Sequence, residues 1–309
     1  KGYIMRNLIK IFYAFILLAL INGCSMDPPA WAKTKHEIDP NHLTIGVSLS
    51  TLNNPFFVSI KEGIATAAAK EHMQVKIADA QNDSAKQNND VEDLIQQQVD
   101  VLLINPVDSD AISSAILLAN QSGIPVITID RSASKGNVVT FIASNNIEGG
   151  KMAAQFIVSK LGKKAVVAEL QGIPGASATR ERGQGFHLIA DKELNVVASQ
   201  SADFDRAKGL TVAENILQAH DNVQAIFAQN DEMALGAYEA AKSAGKNIII
   251  VGFDGSQDGL KSVQNGQLSA TVAQQPDLIG EKAIEASKHI ANKQSIPPQM
   301  PVALKLVTK

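Results

Sequence analysis

Four apolar runs in the chain end in polar residues. They are Val101-Leu-Leu-Ile-Asn105, Val126-Ile-Thr-Ile-Asp130-Arg131, Ala225-Ile-Phe-Ala-Gln-Asn230 and Ile248-Ile-Ile-Val-Gly-Phe-Asp254. Short β-branched runs bounded by turn residues predict buried strands of a parallel sheet. Ligands of open α/β sheets bind outside the carboxyl ends of such strands. The Asn, Asp and Arg side chains past these ends are therefore pocket candidates, although each could instead cap a helix or form a turn.

Strand and helix patterns alternate along the whole chain from Leu43 onward. The predicted strands cover residues 43–49, 75–78, 101–104, 126–130, 138–143, 165–170, 196–199, 225–229, 248–253, 269–273 and 302–307. The predicted helices cover residues 57–71, 86–98, 109–122, 148–161, 180–191, 206–219, 231–244, 257–264 and 279–291. This alternation is typical of βαβ units. Since about eleven strands are too many for one comfortable sheet, we predict an α/β fold of two doubly wound, parallel-sheet lobes.

The N-terminal segment is typical of an export signal rather than of the fold. Arg6 and Lys10 precede an apolar run at 11–21, which is too short to span a membrane with these flanks. We predict that residues 1–32 contain this leader and the start of a tether, and that 33–42 form a polar tether. The protein is therefore expected in the periplasm or at the outer face of the cell membrane.

Two processing sites compete within the leader. Ile21-Asn-Gly-Cys24 resembles a lipobox, in which the cysteine is lipidated and becomes the new N-terminus. Ala30-Trp-Ala32 is an ordinary small-x-small cleavage site before Lys33. The lipobox is favoured because Cys24 directly follows the apolar run, although Ile at its first position is less usual than Leu.

Composition excludes several classes of function. The chain has 309 residues, 45% hydrophobic and 19% charged, with a formal net charge of −3. It has no basic stripe, so we expect no nucleic-acid partner. With Cys24 as its single cysteine, it can form neither an intrachain disulfide nor a CxxC metal site. No P-loop, dinucleotide fingerprint, nucleophile elbow or calcium loop is recognisable, so we expect no enzyme activity, cofactor or metal.

The residues that are present suit a sugar. Asp and Asn pair with vicinal hydroxyl groups, and the planar fork of Arg adds directed donors. Phe supplies apolar area for the faces of a sugar ring. Phe56 and Phe57 follow the first strand and could instead start a helix packed into the core. Phe204 lies in a polar context, where a core role is less natural, and Phe253 adjoins Asp254.

Seven motifs together resemble the ribose-binding proteins of ABC importers, a branch of the periplasmic binding proteins. They are Ser50-Thr-Leu-Asn-Asn-Pro-Phe-Phe57, Leu103-Ile-Asn-Pro-Val-Asp-Ser-Asp110, Ile127-Thr-Ile-Asp-Arg131, Ala178-Thr-Arg-Glu-Arg-Gly183, Ala202-Asp-Phe-Asp-Arg206, Phe227-Ala-Gln-Asn-Asp-Glu-Met-Ala-Leu-Gly236 and Val251-Gly-Phe-Asp-Gly255. The resemblance covers nearly all of 43–309.

This resemblance implies two lobes joined by a three-segment hinge. It implies one lobe of residues 43–144 plus 275–303 and another of 145–274 plus 304–309. The implied ligand contacts are Asn54, Phe56, Phe57, Asn105, Asp130, Arg131, Arg182, Phe204, Asn230, Phe253, Asp254 and Gln274. It further implies D-ribose as ligand and a permease as partner in carbohydrate transport. The N-terminus departs from the family pattern, because a lipid anchor and a polar tether replace the simple cleaved leader of freely soluble members. Membrane contact is therefore expected only through that anchor or through the permease.

Three alternatives remain open at this point. The ligand could be another monosaccharide, or a furanose-like signal that serves chemotaxis through a chemoreceptor, or quorum sensing. A transcription regulator with this effector fold would carry a helix-turn-helix before the first strand, where this chain has its signal segment. An enzyme is the third alternative, and product analysis after incubation with ribose would detect it.

Overall fold

The computed structural model describes residues 38–309. The predicted leader, both processing sites and Cys24 lie outside the described residues, as does the first half of the predicted tether, residues 33–37. Within the described residues, no helix is both long enough and apolar enough to cross a membrane.

Twelve strands of the described chain form two separate six-stranded sheets. The first sheet contains β1 (Thr44–Leu49), β2 (Gln74–Asp79), β3 (Val101–Ile104), β4 (Val126–Ile129), β5 (Thr140–Ser144) and β11 (Gln299–Val302). Its strand order is β11-β5-β4-β3-β1-β2, and every neighbouring pair is parallel.

The second sheet repeats this layout. It contains β6 (Val166–Gln171), β7 (Asn195–Ser201), β8 (Ala225–Ala228), β9 (Ile249–Asp254), β10 (Ala270–Ala273) and β12 (Lys305–Thr308). Its order is β12-β10-β9-β8-β6-β7. Only the β10–β12 pair is antiparallel among the pairs of this sheet.

Helices pack on both faces of each sheet. The first sheet carries α1 (Pro55–Lys70), α2 (Ser84–Gln96), α3 (Ser113–Gln121) and α9 (Pro276–Ala291). The second carries α4 (Asn146–Leu161), α5 (Ser177–Glu193), α6 (Arg206–Ala219), α7 (Asp231–Ser243) and α8 (Gln257–Gln264). The predicted fold of two doubly wound parallel-sheet lobes is confirmed. The chain passes between the sheets three times, after β5, after β10 and between β11 and β12.

Each sheet has a buried apolar layer on both faces, which explains why its strands read as continuous apolar runs. In β3, Leu103 packs into the layer under α1 and α9, while Leu102 and Ile104 pack into the layer under α2 and α3. All three side chains are fully buried. Burying such a side chain stabilises the fold by roughly 1.5–3 kcal/mol.

The C-terminal prediction of one strand at 302–307 is wrong. The structure has two strands there, β11 and β12, and they belong to different sheets. The chain leaves the first sheet after Val302 and enters the second at Lys305, so the two residues between them connect the lobes. An apolar alternation cannot reveal this division, because both short strands fit a single period-2 pattern.

The predicted helix at 109–122 begins later than expected, at Ser113. The carboxylate of Asp108 accepts hydrogen bonds from the backbone N–H groups of Asp110 and Ala111, both at 2.8 Å. An Asp side chain that binds the backbone two and three residues on stabilises a turn instead of a helix. Residues 109–112 therefore form a turn at the end of the loop that follows β3.

Candidate functional site

Nine of the twelve predicted contact residues line one cavity at the carboxyl ends of the strands. These nine are Asn54, Phe56, Phe57, Asp130, Arg131, Arg182, Phe204, Asn230 and Asp254. They come from loops and helix starts of both sheets. The other three predicted residues, Asn105, Phe253 and Gln274, lie behind the lining and hold it in place.

On the side of the first sheet, Asp130 and Arg131 follow β4 directly. Asn105 Nδ2 donates to Asp130 Oδ2 at 3.4 Å and to the carbonyl of Ile129 at 3.1 Å. The Nε atom of Arg131 lies 3.7 Å from Asp130 Oδ2, and its NH1 donates to the carbonyl of Pro106 at 3.0 Å. Asn105 therefore acts through Asp130, which it orients toward the cavity.

On the side of the second sheet, Arg182 and Asp254 form a matching pair. Arg182 NH1 lies 3.6 Å from Asp254 Oδ1, and Gln274 Nε2 donates to the same oxygen at 2.9 Å. The guanidinium carbon of Arg182 lies 3.8 Å from the centre of the Phe253 ring. Phe253 thus supports Arg182 from below by a cation–π contact, and it does not line the cavity itself.

Sequence analysis missed three residues at this site. Arg182 Nε donates to Asn146 Oδ1 at 2.9 Å, and Arg182 NH1 donates to the carbonyl of Gln229 at 2.6 Å. Ala178 lines the cavity. Ala178 and Gln229 fall inside the quoted motifs, but neither residue type indicates a ligand contact. Asn146 carries no local signal, because it begins α4 and reaches Arg182 only through helix packing.

Aromatic rings border the cavity from both sides. The guanidinium of Arg131 lies 5.1 Å from the centre of the Phe57 ring and 5.3 Å from that of Phe204. Phe56 contacts Phe57 edge to face, with ring centres 5.4 Å apart. A Cβ atom on Gly172 would lie 2.0 Å from the ring of Phe204, so only glycine lets that ring take its place.

The three lining phenylalanines also belong to the hydrophobic cores. Phe56 and Phe57 are buried in the layer beneath α1, and both the core interpretation and the pocket interpretation apply to them. Phe204 is 9% exposed and packs into the core of the second sheet. The expectation that a polar sequence context argues against a core role for Phe204 is therefore wrong. Asp205 and Arg206, which follow it, are exposed, while its ring turns inward.

Two lining asparagines also cap helices. Asn54 Oδ1 accepts from the N–H of Phe56 at 2.9 Å at the start of α1. Asn230 Oδ1 accepts from the N–H of Met233 at 2.9 Å at the start of α7, and its Nδ2 donates to the carbonyl of Phe204. Both asparagines therefore cap a helix and also line the cavity.

Burial shifts the pKa of three charged lining residues, Asp130, Arg131 and Asp254. Burial raises the pKa of Asp130, against the pull of Arg182 and Arg131. Burial also raises the pKa of Asp254 well above its usual value, although Arg182 opposes it. Burial lowers the pKa of Arg131 to about 10, against the pull of Asp130. Two carboxylates and two guanidinium groups balance in formal charge, so the cavity suits a neutral, polyhydroxylated ligand.

Several polar atoms at the site have no hydrogen-bond partner within the described chain. They include Asp130 Oδ1, Arg131 Nε and Gln274 Oε1, and all three are buried. Buried polar atoms in native proteins are nearly always paired, and an unpaired one costs about 1–3 kcal/mol. One acceptor and one donor side by side on Asp130 and Arg131 match the two hydrogen-bonding roles of a sugar hydroxyl.

Three lining residues hold a backbone conformation that L-amino acids rarely adopt. The φ angles are 62° at Asp130, 60° at Phe204 and 116° at Asp254. Such conformations cost on the order of 1–3 kcal/mol each and cluster at functional sites. Within residues 38–309, no group of three or more His, Cys, Asp or Glu side chains is arranged to hold a metal ion.

Residues 45–295 match the family described as the periplasmic binding protein domain. The chain belongs to the periplasmic binding protein family. The resemblance inferred from the seven motifs is thereby confirmed.

Two relatives of this periplasmic binding protein are ribose import binding proteins. That of Bacillus subtilis (strain 168) is 60% identical over 305 residues, which cover 99% of this chain and 100% of the relative. That of Escherichia coli (strain K12) is 53% identical over 268 residues, which cover 86% of this chain and 90% of the relative.

A solved structure shares the architecture of this periplasmic binding protein. It is an ABC transporter periplasmic solute binding protein from Actinobacillus succinogenes 130z with bound D-allose. The TM-score is 0.80 at 31% identity, and the match covers 86% of this chain and 97% of the other. The fold and family are therefore shown by sequence and by structure alike.

Proposed function

We propose that this protein captures D-ribose between its two lobes and delivers it to the permease of an ABC transporter. The observation that carries the proposal is the cavity itself. It places an Asp–Arg pair from each sheet between phenylalanine rings. The 60% identity to a ribose import binding protein along nearly the whole chain supports ribose in particular.

In this proposal the twelve predicted residues divide into three roles. Asp130, Arg131, Arg182 and Asp254 bind sugar hydroxyls, together with Asn54 and Asn230, while Phe56, Phe57 and Phe204 cover the faces of the sugar. Asn105, Phe253 and Gln274 hold the charged residues in position. The protein performs no chemical step, and binding energy is used to favour the closed arrangement of the lobes.

The proposed lobes are residues 43–144 plus 275–303 and residues 145–274 plus 304–309. The assignment of β11 to one sheet and β12 to the other supports the last of these boundaries. A ligand that touches both lobes can be buried only when they meet, and the permease would recognise that closed shape.

We also propose that the protein is exported and that Cys24 is its lipid anchor, with cleavage before Lys33 as the alternative. The leader pattern supports export, and the related proteins are periplasmic binding proteins.

Titration calorimetry with purified protein tests the ligand. We expect D-ribose to bind with a Kd on the order of micromolar or below, equivalent to about −8 kcal/mol or better. D-allose, D-fructose and myo-inositol serve as comparison ligands. Strong binding of one of these with no heat from ribose would contradict the assignment of ribose while leaving a sugar-binding role in place.

A further inference from the structure

Three loops of the two lobes meet beside the sugar cavity, and their contacts take no part in the proposed site. One is the loop after β6, which contains Gly175 and leads to Ser177 at the start of α5. The others follow β3 and β4 and contain Ser109 and Ser132. None of these four residues lines the cavity.

Two hydrogen bonds join these loops across the gap between the sheets. The N–H of Ser109 donates to the carbonyl of Gly175 at 3.0 Å. The N–H of Ser132 donates to the hydroxyl of Ser177 at 2.9 Å. The N–H of Ser134 donates to the carbonyl of Ser109 at 2.8 Å, so the two loops of the first lobe are also tied to each other.

Gly175 leaves no room for a side chain at this contact. A Cβ atom there would lie 1.9 Å from Asp108 Oδ2 and 2.7 Å from its Cγ. Asp108 cannot easily move, because its other oxygen accepts from two backbone N–H groups of its own turn. On its own lobe, the carbonyl of Gly175 is held by NH1 of Arg180 at 3.0 Å. Each partner of the contact is therefore held by hydrogen bonds within its own lobe.

We infer that Gly175 and Ser177, facing Asp108, Ser109 and Ser132, form a latch that stabilises the closed lobes independently of the sugar. The inference rests on the proposed capture of a sugar between the lobes. These bonds exist only when the lobes meet, so they favour the closed form whatever the ligand is. The apparent affinity for a ligand scales with the population of the form that binds it. The latch thus sets how tightly every sugar binds, while the cavity sets which sugar is preferred.

Replacing Gly175 with Ala tests the latch. The added methyl group meets Asp108 only in the closed form, so the folding of each lobe should be unaffected. We expect the Kd for D-ribose to rise by about tenfold or more, since over-packing of this kind commonly costs that much. The Kd of a weaker sugar ligand should rise by the same factor. Ser177→Ala, which removes one hydrogen bond, should raise both Kd values by about threefold to tenfold.

A double-mutant cycle identifies the partner of Gly175. Asp108→Ala removes the carboxylate that an alanine at position 175 would meet. The Kd of the double variant Gly175→Ala with Asp108→Ala should therefore be close to that of Asp108→Ala alone. Independent effects of the two changes would give a higher Kd. Additive effects would show that Asp108 is not what position 175 contacts.

A measurement without sugar separates the latch from the proposed function. A nitroxide attached through Ala85→Cys in the exposed first turn of α2, in a Cys24→Ala background, lies beside the groove that Asn82 shares with Asp203 and Arg206 of the second lobe. It broadens amide signals of the second lobe more strongly as the closed population increases. Gly175→Ala should reduce this broadening. The latch is refuted if Gly175→Ala leaves both the broadening and the sugar affinities unchanged, or if it alters the ratio between two sugars. If no sugar binds the unaltered protein, the proposed function fails, and the broadening alone decides about the latch.

Discussion

At the scale of single residues, the site is built from side chains whose backbones are under strain. Asp130, Phe204 and Asp254 themselves have positive φ angles, a conformation in which glycine is the usual residue. A glycine would relax the backbone but would remove the group that reaches the cavity. The fold therefore accepts a cost of roughly 1–3 kcal/mol at each position to present these side chains.

Asp130→Asn should weaken ribose binding by about tenfold to a hundredfold. The carboxylate loses one of its two acceptor oxygens, and a lost charged hydrogen bond costs roughly 1.5–3 kcal/mol. Asn tolerates a positive φ angle, so the turn should be preserved. Calorimetry on this variant measures the effect, with Asp93→Ala on the exposed face of α2 as the control. Unchanged affinity in Asp130→Asn would remove Asp130 from the proposed contacts.

Position after a strand predicted Asp130, Arg131 and Asp254, because the ends of parallel strands meet at one edge of a sheet. Arg182 lies on α5, and only the family resemblance implied it. Neither signal predicted how those residues are held. Asn146 orients Arg182 from the start of α4, and no sequence rule links two residues 36 positions apart. Gln229 was predicted as the end of a strand. Its backbone carbonyl accepts a hydrogen bond from Arg182, and because every residue has a carbonyl, the sequence does not indicate this contact.

At the scale of elements, α5 is tied to β6 by a buried carboxylate. Glu169 on β6 is fully buried and accepts from Gln229 Nε2 and from Gln171 Nε2, both at 2.9 Å. His187 on α5 lies between Glu169, at 3.2 Å, and Asp191, at 2.6 Å. Since α5 also carries Arg182, this contact fixes the helix that delivers a cavity residue.

His187→Gln should lower the free energy of unfolding by about 1 kcal/mol near pH 6, after allowance for partial exposure. The hydrogen bond to Glu169 raises the pKa of His187 from 6.5 to about 9, and the contact with Asp191 adds to this, although burial opposes it. A raised pKa in the folded state means that the stabilisation is complete below pH 6.5 and is lost as the pH rises through 9.

Denaturant unfolding of both proteins between pH 5.5 and pH 9.5 measures this pH dependence, with His289→Gln as the control. The difference in stability between the unaltered protein and His187→Gln should shrink toward the upper end of that range. For Glu169, burial acts to raise the pKa, but the hydrogen bonds from His187, Gln229 and Gln171 lower it overall. Its own contribution is therefore lost only in acid. A constant difference across the range would show that His187 acts by packing alone.

Most element positions follow from local patterns, and the exceptions have physical causes. The helix α6 and the strand β3 agree with prediction at both ends, because capping and turn residues bound their apolar patterns. The helices α1 and α9 start earlier than predicted, at Pro55 and Pro276. Proline suits the first turn of a helix, where no N–H is needed, so it marks a beginning and not an interruption.

At the scale of the whole molecule, two similar lobes arise from one chain, and the count of strands was enough to predict them. What the count could not show is how the lobes share the chain. Helix α9 comes after the whole second sheet except β12, yet it packs against α1 in the first lobe. That packing needs close backbone approach, since a Cβ atom on Gly63 would lie 2.5 Å from the carbonyl of Asp277.

If Cys24 carries a lipid, the whole protein is held at a membrane. We expect the unaltered protein to partition with membranes and to incorporate labelled palmitate in cells. Cys24→Ala should abolish both, because no other cysteine is present in the chain. Mass spectrometry of the mature N-terminus is the independent measurement. A mature form that starts at Lys33 would instead establish the Ala-x-Ala cleavage site.

The late position of α9 also bears on when the protein can fold. Ile279, Ala283 and Ile284 of this helix are part of the core beneath β1, and Val302 of β11 completes the same core. A nascent chain leaving the ribosome thus exposes an unfinished first lobe until Val302 has been made. Domains usually fold as units during synthesis, N-terminal first. Here the discontinuous first lobe postpones that step, which would suit the proposed export, because a secretion pore passes an unfolded chain.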